Sequence, residues 1–249
     1  MENKKTDYLL PVSIIIAALL IGGSWIYSTG LKNIDLNKNN KEEKIVSDSK
    51  APNIENVTPV SFSDHIRGNP NAPIKIVEFS DFECPYCKAF HQTMKRIITE
   101  YDGKTAWIYR HYPIEQLHSK AKKAAQASEC AAELGGNGKF WEYIDKYFEI
   151  TPSNNQIDLS KLPQIADDIG LDAKQFSDCL NSKKHLPEIE AQIKNAIDSG
   201  AQGTPYSIII NENNKKYLIN GALPFEDFKD QYGVMQKGVK TLIEEALKL

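Results

Sequence analysis

Residues 74–91 read IKIVEFSDFECPYCKAFH and set a short apolar segment directly before a Cys-x-x-Cys pair. Ile74–Ser80 is rich in β-branched residues, so it predicts a buried strand. A helix is predicted to begin at Cys84-Pro85, because proline suits the first helical turn. Thr105–Tyr109 predicts a second strand. Strand, helix and strand form a βαβ unit, whose two strands are expected to be parallel.

After this unit the sequence changes to helical patterns and then returns to strands. Predicted helices, bounded by caps or breakers, cover Ser119–Leu134, Phe140–Phe148, Ser160–Ile169, Ala173–Leu180 and Pro187–Ser199. Two strands joined by a hairpin turn at Asn213-Asn214 follow, and then a closing helix, with predicted ranges Tyr206–Ile210, Lys216–Ile219 and Phe225–Leu247. The order predicts a split α/β domain with a helical insertion at about residues 115–200.

The amino-terminal part predicts a membrane anchor and a tether. A short tail, residues 1–7, precedes an uncharged apolar segment, residues 8–27, which as a helix could cross the roughly 30 Å hydrocarbon core of a bilayer. Cleavage after this segment, as in a signal peptide, is the alternative. Residues 28–56 are rich in Asn, Lys, Glu and Ser and predict a flexible tether. The folded domain is expected to occupy residues 57–249.

Composition narrows the function classes. The 249 residues include 30 Lys+Arg and 33 Asp+Glu, for a formal net charge of −3. This balance argues against a protein that binds nucleic acid through a broad basic face. Hydrophobic residues at 41% and charged residues at 25% exclude a wholly disordered chain. Four cysteines are too few for a small disulfide-rich scaffold, so their spacing carries the information.

The Cys84-Pro85-Tyr86-Cys87 motif lies where a strand ends and a helix begins, a position that favours a thiolate. Free backbone N–H groups and the helix dipole stabilise an anion at the first sulfur. The thiolate is the nucleophile of disulfide exchange. We therefore expect Cys84 to be exposed and to attack. Cys87, one turn later, is expected to be shielded and to resolve a mixed disulfide.

A zinc site is the alternative use of the two cysteines. Zinc would need two further ligands, and His91 is the best candidate but does not suffice alone. Cys130 and Cys179 do not form a second Cys-x-x-Cys pair. We therefore expect no metal. The other histidines suggest no catalytic triad and are expected to be surface or capping residues: His65, His111, His118 and His185.

Several motifs together resemble the DsbA-like thiol:disulfide oxidoreductases, which are thioredoxin folds with a helical insertion. The motifs are Ile74–His91, Arg110–Glu133, Gly138–Phe148 and Gly203–Ile210, and the resemblance covers roughly residues 57–249. It implies a protein-disulfide oxidoreductase that acts by thiol-disulfide exchange, without organic cofactor or metal.

The resemblance also assigns residues to the site. Pro205 matches the family's cis-proline loop, which lies against the active disulfide and leaves the backbone of Thr204 to pair with an extended substrate chain. An ordinary turn proline is the alternative. Glu78 matches a buried acid beneath the site, where burial would raise its pKa and let it exchange a proton with Cys87. A strand-edge glutamate facing water is the alternative.

Cys130 and Cys179 match a second, structural disulfide that some relatives carry in the insertion, with two buried free thiols as the alternative. Two cysteine pairs suit an oxidising compartment. Long domains cross membranes largely regardless of flanking lysines. The catalytic domain is therefore expected on the periplasmic or extracellular side of the cell membrane.

The residues around Cys84 bear on the direction of exchange. DsbA has histidine where this chain has Tyr86, which adds no positive charge. Glu83 is expected to oppose the thiolate, so we expect a less oxidising site. The predicted function is a monomeric, membrane-tethered oxidase that gives its disulfide to reduced exported proteins and is reoxidised by a quinone-linked membrane partner. A reductase or isomerase of the same fold, and a non-catalytic binding or chaperone module, are the alternatives.

Overall fold

A computed structural model describes residues 53–248, and a five-stranded mixed sheet lies at their centre. Its strands are β1 (His65–Gly68), β2 (Ile74–Ser80), β3 (Thr105–His111), β4 (Tyr206–Ile210) and β5 (Lys216–Asn220). Their spatial order is β1-β3-β2-β4-β5. β2 and β3 run parallel, as predicted, and the other neighbouring pairs are antiparallel. This topology confirms the predicted split α/β domain, with helices inserted between β3 and β4.

Within the described residues, six α-helices surround the sheet. They are α1 (Pro85–Glu100), α2 (Ala121–Ile150), α3 (Leu162–Asp168), α4 (Ala173–Ser182), α5 (Leu186–Asp198) and α6 (Val239–Leu247). Short 3-10 turns lie at Ile54–Asn56 and Leu159–Lys161. Helices α2 to α5 fall between β3 and β4 and form the insertion.

Both faces of the sheet are covered, which explains why its central strands are continuous apolar runs. One face carries Ile76 and Trp107 and belongs to a core that includes residues of α1, α2 and α6. The opposite face carries Val77 and Ile108 and belongs to a second core that reaches Ala196 of α5. Because neighbouring residues of a strand point to opposite faces, the even-numbered Glu78 lies on the side of Ile76.

The helices predicted before and after Gly135-Gly136 lie in α2 on either side of a kink at Gly136, whose backbone is not helical, with φ at 74° and ψ at −173°. One expectation about the helices needs correction. The closing helix predicted over Phe225–Leu247 is wrong in its first part, because only Val239–Leu247 is helical. The preceding residues form a two-stranded hairpin, β6 (Phe228–Lys229) and β7 (Met235–Gln236).

The reason for the hairpin is local. The Asp230 carboxylate accepts hydrogen bonds from the backbone N–H groups of Tyr232 and Val234, at 2.9 and 3.0 Å. Gly233 then takes the left-handed conformation, with φ at 78°. This turn ends any helix that begins before it. Strand β1 was not predicted, because its four residues include a histidine, an arginine and a glycine.

Within residues 53–248, no helix combines the length and the apolar character needed to cross a membrane. The predicted anchor, residues 8–27, and nearly all of the predicted tether lie outside the described residues.

Candidate active site

Cys84 occupies the N-cap position of α1, and Pro85 follows in the first turn. The three-residue loop that delivers it leaves the carboxyl end of β2, in the middle of the sheet. Both Cys84 and Cys87 are free thiols. Cys87 is fully buried, as expected, but Cys84 is only 4% exposed, so the expectation of an exposed nucleophile is wrong.

The loop before β4 explains this burial. The Thr204–Pro205 peptide bond is cis, as the resemblance implies, and the loop lies beside the end of β2 because β4 pairs with β2. The Cys84 thiol donates to the carbonyl oxygen of Thr204, with a sulfur–oxygen distance of 3.3 Å. Hence the nucleophile and the cis-proline loop are in direct contact.

The two thiols differ strongly in acidity. The pKa of Cys84 is lowered to about 6, chiefly by a hydrogen bond from Cys87; burial opposes this, while Thr204 and the N–H groups of Cys87 and Tyr86 assist. Among residues 53–248 the Thr204 hydroxyl has no partner while Cys84 is a thiol, so it is free to donate once the sulfur ionises. Burial raises the pKa of Cys87 well above its usual range. Near neutral pH, Cys84 is therefore the anion and Cys87 keeps its proton.

Glu78 lies beneath the pair, on β2. Its side chain is buried, and its Oε2 accepts a hydrogen bond from the Trp107 indole at 2.8 Å. Burial raises the pKa of Glu78 to about 7. Its negative charge in turn helps to raise the pKa of Cys87, so the two groups interact. The alternative of a glutamate facing water is excluded.

Asp81 organises the loop between β2 and the cysteines, and the sequence did not single it out. Its backbone N–H donates to the Cys87 sulfur at 3.4 Å. Its carboxylate accepts from the backbone N–H groups of Glu83 and Ile114, each at 2.8 Å, and bonds His118 Nδ1 at 2.9 Å. An aspartate that bonds the N–H two residues later is a common turn, and that signal could have identified it.

Glu83 does not face the nucleophile that follows it. Its carboxylate is fully buried and accepts hydrogen bonds from the Tyr147 hydroxyl, from Thr151 Oγ1 at 3.4 Å and from the Asn155 N–H at 2.5 Å. All three donors belong to the insertion. The main influences on the pKa of Cys84 are a hydrogen bond from Cys87, burial, and hydrogen bonds from Thr204 and Tyr86, so the expected opposition of Glu83 to the thiolate is not a leading effect.

Cys130 and Cys179 form a disulfide that joins α2 to α4, with a Cα–Cα distance of 5.9 Å. The alternative of two free thiols is therefore excluded. His91, the further zinc ligand considered, bonds Asp145 through Nε2 at 2.6 Å. Cys130 and Cys179 are bonded to each other.

Two of the four remaining histidines are buried, contrary to expectation. His118 bonds Asp81 as described, and His111 bonds Glu129 at 2.7 Å. Partly buried His65 bonds the same carboxylate at 3.0 Å. None of these contacts involves a cysteine of the active pair.

The chain matches one protein family and is similar to several solved structures. The family model described as thioredoxin matches residues 61–231. The chain belongs to the thioredoxin family. Among solved structures, this thioredoxin-family chain is similar to alpha-DsbA1 of Wolbachia pipientis, with 26% identity and a TM-score of 0.58, covering 79% of this chain and 95% of that one. It shares the fold of oxidised BdbD from Bacillus subtilis, at 22% identity and a TM-score of 0.61, covering 80% and 96%. The expected thioredoxin-family membership is confirmed, and the chain shares the fold of DsbA proteins.

Longer proteins also match. A protein named Na(+)/H(+) antiporter NhaA 3, from Salinispora tropica, is 32% identical over 142 residues, which are 57% of this thioredoxin-family chain and 21% of that protein. The chain spans about a fifth of the length of the curated relatives it matches. Their name therefore describes much larger proteins.

Proposed function

We propose that this chain is a membrane-tethered protein-disulfide oxidoreductase that introduces disulfides into reduced exported proteins. One observation carries the proposal: the Cys84 thiol, with a pKa lowered to about 6, lies between the first turn of α1 and the Thr204 carbonyl. A thiol that ionises so readily is both a nucleophile and a good leaving group in disulfide exchange.

In the oxidising direction, a substrate thiolate attacks the Cys84 sulfur of the Cys84–Cys87 disulfide. A substrate–Cys84 bond forms, the Cys84–Cys87 bond breaks, and Cys87 takes the electron pair. A second substrate thiolate then attacks the substrate sulfur of the mixed disulfide, and Cys84 leaves as a thiolate. The substrate has lost two electrons, which the cysteine pair now holds.

Glu78 is the proposed proton relay for this step. The departing Cys87 thiolate needs a proton, because burial places its pKa well above neutral. Glu78, with a pKa raised to about 7, is partly protonated at neutral pH and can supply it. When the pair is reoxidised, Glu78 takes the proton back.

The proposed substrate contact is the loop opposite Cys84. No residue among 53–248 bonds the Thr204 backbone N–H, and its carbonyl holds only the Cys84 thiol. An extended substrate chain could pair with this backbone, while Pro205 offers no N–H to compete. Tyr86, 67% exposed between the two cysteines, would lie beside the same chain.

Location and reoxidation rest on the sequence. The apolar segment at residues 8–27 supports a single-pass anchor, and the Cys130–Cys179 disulfide supports an oxidising compartment outside the cytoplasm. The two electrons left on the cysteine pair require an acceptor. A quinone-linked membrane protein is the proposed oxidant, and the enzyme is proposed to act as a monomer.

The test is to mix the oxidised protein with a reduced, unfolded test protein that contains several cysteines. Disulfides are expected to appear in the test protein as the Cys84–Cys87 pair becomes reduced, and Cys84→Ser should abolish this. Equal oxidation by the Cys84→Ser variant would refute the catalytic role and would favour a non-catalytic binding module.

A reductase or isomerase is the second candidate, and Tyr86 favours it, because tyrosine brings no positive charge to the thiolate. The redox equilibrium with glutathione separates the two. A potential near about −120 mV would indicate an oxidase, and one near about −270 mV would indicate a reductase.

A further inference from the structure

Glu78 has an unusual partner for a buried acid at a redox site: the neutral indole of Trp107. The Nε1–Oε2 distance is 2.8 Å, and both side chains are almost completely buried. No lysine, arginine or histidine in the described part of the chain bonds this carboxylate. The titratable groups that act on it are Cys84 and Cys87 from α1 and Tyr109 from β3.

A neutral donor has a different effect from a cation. A positive charge beside a carboxylate would hold it ionised through the neutral range, and it could not donate a proton to Cys87. Burial is the largest influence on the pKa of Glu78, and although the neutral Ser80 hydroxyl and the Trp107 indole both lower it, the pKa stays at about 7. A general acid and base works best when it changes protonation state near the working pH.

The indole is held in place from several elements. The ring of Trp107 contacts those of His91 and Trp141, with centroids 5.0 and 4.7 Å away. The Arg67 guanidinium lies 4.4 Å from the Trp141 ring and 5.6 Å from the Trp107 ring. Asp145 ties this group together, because it bonds Arg67 at 2.8 Å and His91 at 2.6 Å. Residues of β1, α1 and α2 thus fix the direction of the Trp107 N–H.

We propose that Trp107 is a positioning residue: its indole N–H fixes the Glu78 carboxyl group for proton exchange with Cys87. This positioning role rests on the proposed function of Glu78 as the proton relay. The hydrogen bond itself is a separate claim that can be measured without substrate.

Trp141 provides a matched control. It lies in the same aromatic cluster and is also buried, but its Nε1 has no hydrogen-bond partner in the part of the chain that the structure describes. Trp107→Phe and Trp141→Phe therefore remove similar rings from neighbouring sites. Only the first removes a hydrogen bond to Glu78.

The experiment is an infrared pH titration of the protonated Glu78 carboxyl band in the full-length, reduced protein, with the band assigned by its loss in Glu78→Gln. We expect Trp107→Phe to move the midpoint to higher pH by about 1 to 2 units, a 10- to 100-fold change in the acid dissociation constant, because a hydrogen bond to the charged form is lost. Trp141→Phe should leave the midpoint where it is.

An unchanged midpoint in Trp107→Phe, or an equal shift in both variants, would overturn the proposal. If Trp107→Phe does not fold, 3-benzothienylalanine at position 107 keeps the ring shape and removes only the N–H, and the same shift is expected. If Glu78→Gln exchanges disulfides at the wild-type rate while Trp107→Phe shifts the midpoint, the relay role fails and the positioning contact stands. If Glu78→Gln exchanges disulfides more slowly while Trp107→Phe leaves the midpoint unchanged, only the positioning contact is refuted.

Discussion

The hydroxyl of Tyr147 donates a hydrogen bond to the carboxylate of Glu83, the residue directly before the nucleophile. Tyr147 belongs to α2, so the insertion holds the loop that carries Cys84. The same carboxylate accepts from the Asn155 N–H, and the Glu83 carbonyl accepts from the Asn154 N–H at 2.8 Å. Asn154 and Asn155 both have positive φ, 51° and 64°, which are values that few residues other than glycine adopt.

Glu83→Ala should therefore destabilise the fold without acidifying or weakening the nucleophile. The buried Tyr147 hydroxyl and the partly buried Asn155 N–H lose their acceptor, which we expect to cost about 2–4 kcal/mol in the free energy of unfolding. Urea unfolding measures this. Glu83→Gln, which keeps one carbonyl oxygen, should lose less. A marked fall in the pKa of Cys84 in Glu83→Gln would contradict the orientation of this carboxylate.

Alkylation of Cys84 should follow the ionisation of its thiol. Since its pKa is lowered to about 6, the rate with iodoacetamide is expected to rise with pH and to reach half its maximum near pH 6. Thr204→Val removes a hydroxyl that stabilises the thiolate, so the midpoint should rise by about 0.5 to 1 unit. Thr204→Ser keeps a hydroxyl and serves as the control. Identical midpoints in the valine and serine variants would exclude this hydrogen bond.

Glu78 should make the folded protein less stable as pH rises. Its folded pKa, about 7, lies above the unfolded value of 4.5, so its contribution is fully present below pH 4.5 and is lost as pH rises through 7. The loss amounts to about 3 kcal/mol. Glu78→Gln should remove this part of the pH dependence, which urea unfolding at several pH values would measure. Both proteins should carry Cys84→Ala and Cys87→Ala, so that the thiols do not titrate; parallel stability curves would rule out the raised pKa.

The Cys130–Cys179 disulfide should contribute stability and leave exchange at Cys84 unaffected. The two cysteines are 49 positions apart, and closing a loop of that length stabilises by about 4 kcal/mol in the chain-entropy model. The double variant Cys130→Ala/Cys179→Ala should unfold at correspondingly lower urea, with an unchanged alkylation midpoint at Cys84. If this variant unfolds at the same urea concentration as the wild type, the disulfide does not contribute to the free energy of unfolding.

The elements that the sequence predicted best are those with continuous local signals. The apolar runs Ile74–Ser80 and Tyr206–Ile210 match β2 and β4 in full, because strands buried on both faces need apolar side chains throughout. Pro85 marks the start of α1 for an equally local reason. By contrast, β1 is held by pairing with β3 and has no apolar pattern of its own.

In the candidate site, too, residues with a local or family signal were predicted and residues without one were missed. Cys84 and Cys87 follow from their spacing, and the resemblance located Glu78, Thr204 and Pro205. The residues that were missed act through contacts between distant parts of the chain: Trp107 meets Glu78 across 29 positions, and His118 meets Asp81 across 37. Only the packing of β3 and the insertion against β2 brings such pairs together.

The Cys130–Cys179 bond lies wholly within the insertion and ties α2 to α4. A newly synthesised copy has four thiols, and its insertion is stabilised by this disulfide only after the bond has formed. Under the proposed function, each nascent molecule is then a client of mature ones, and the population would build itself up autocatalytically. Recovery from a fully reduced state should accordingly begin with a lag that a trace of oxidised enzyme removes.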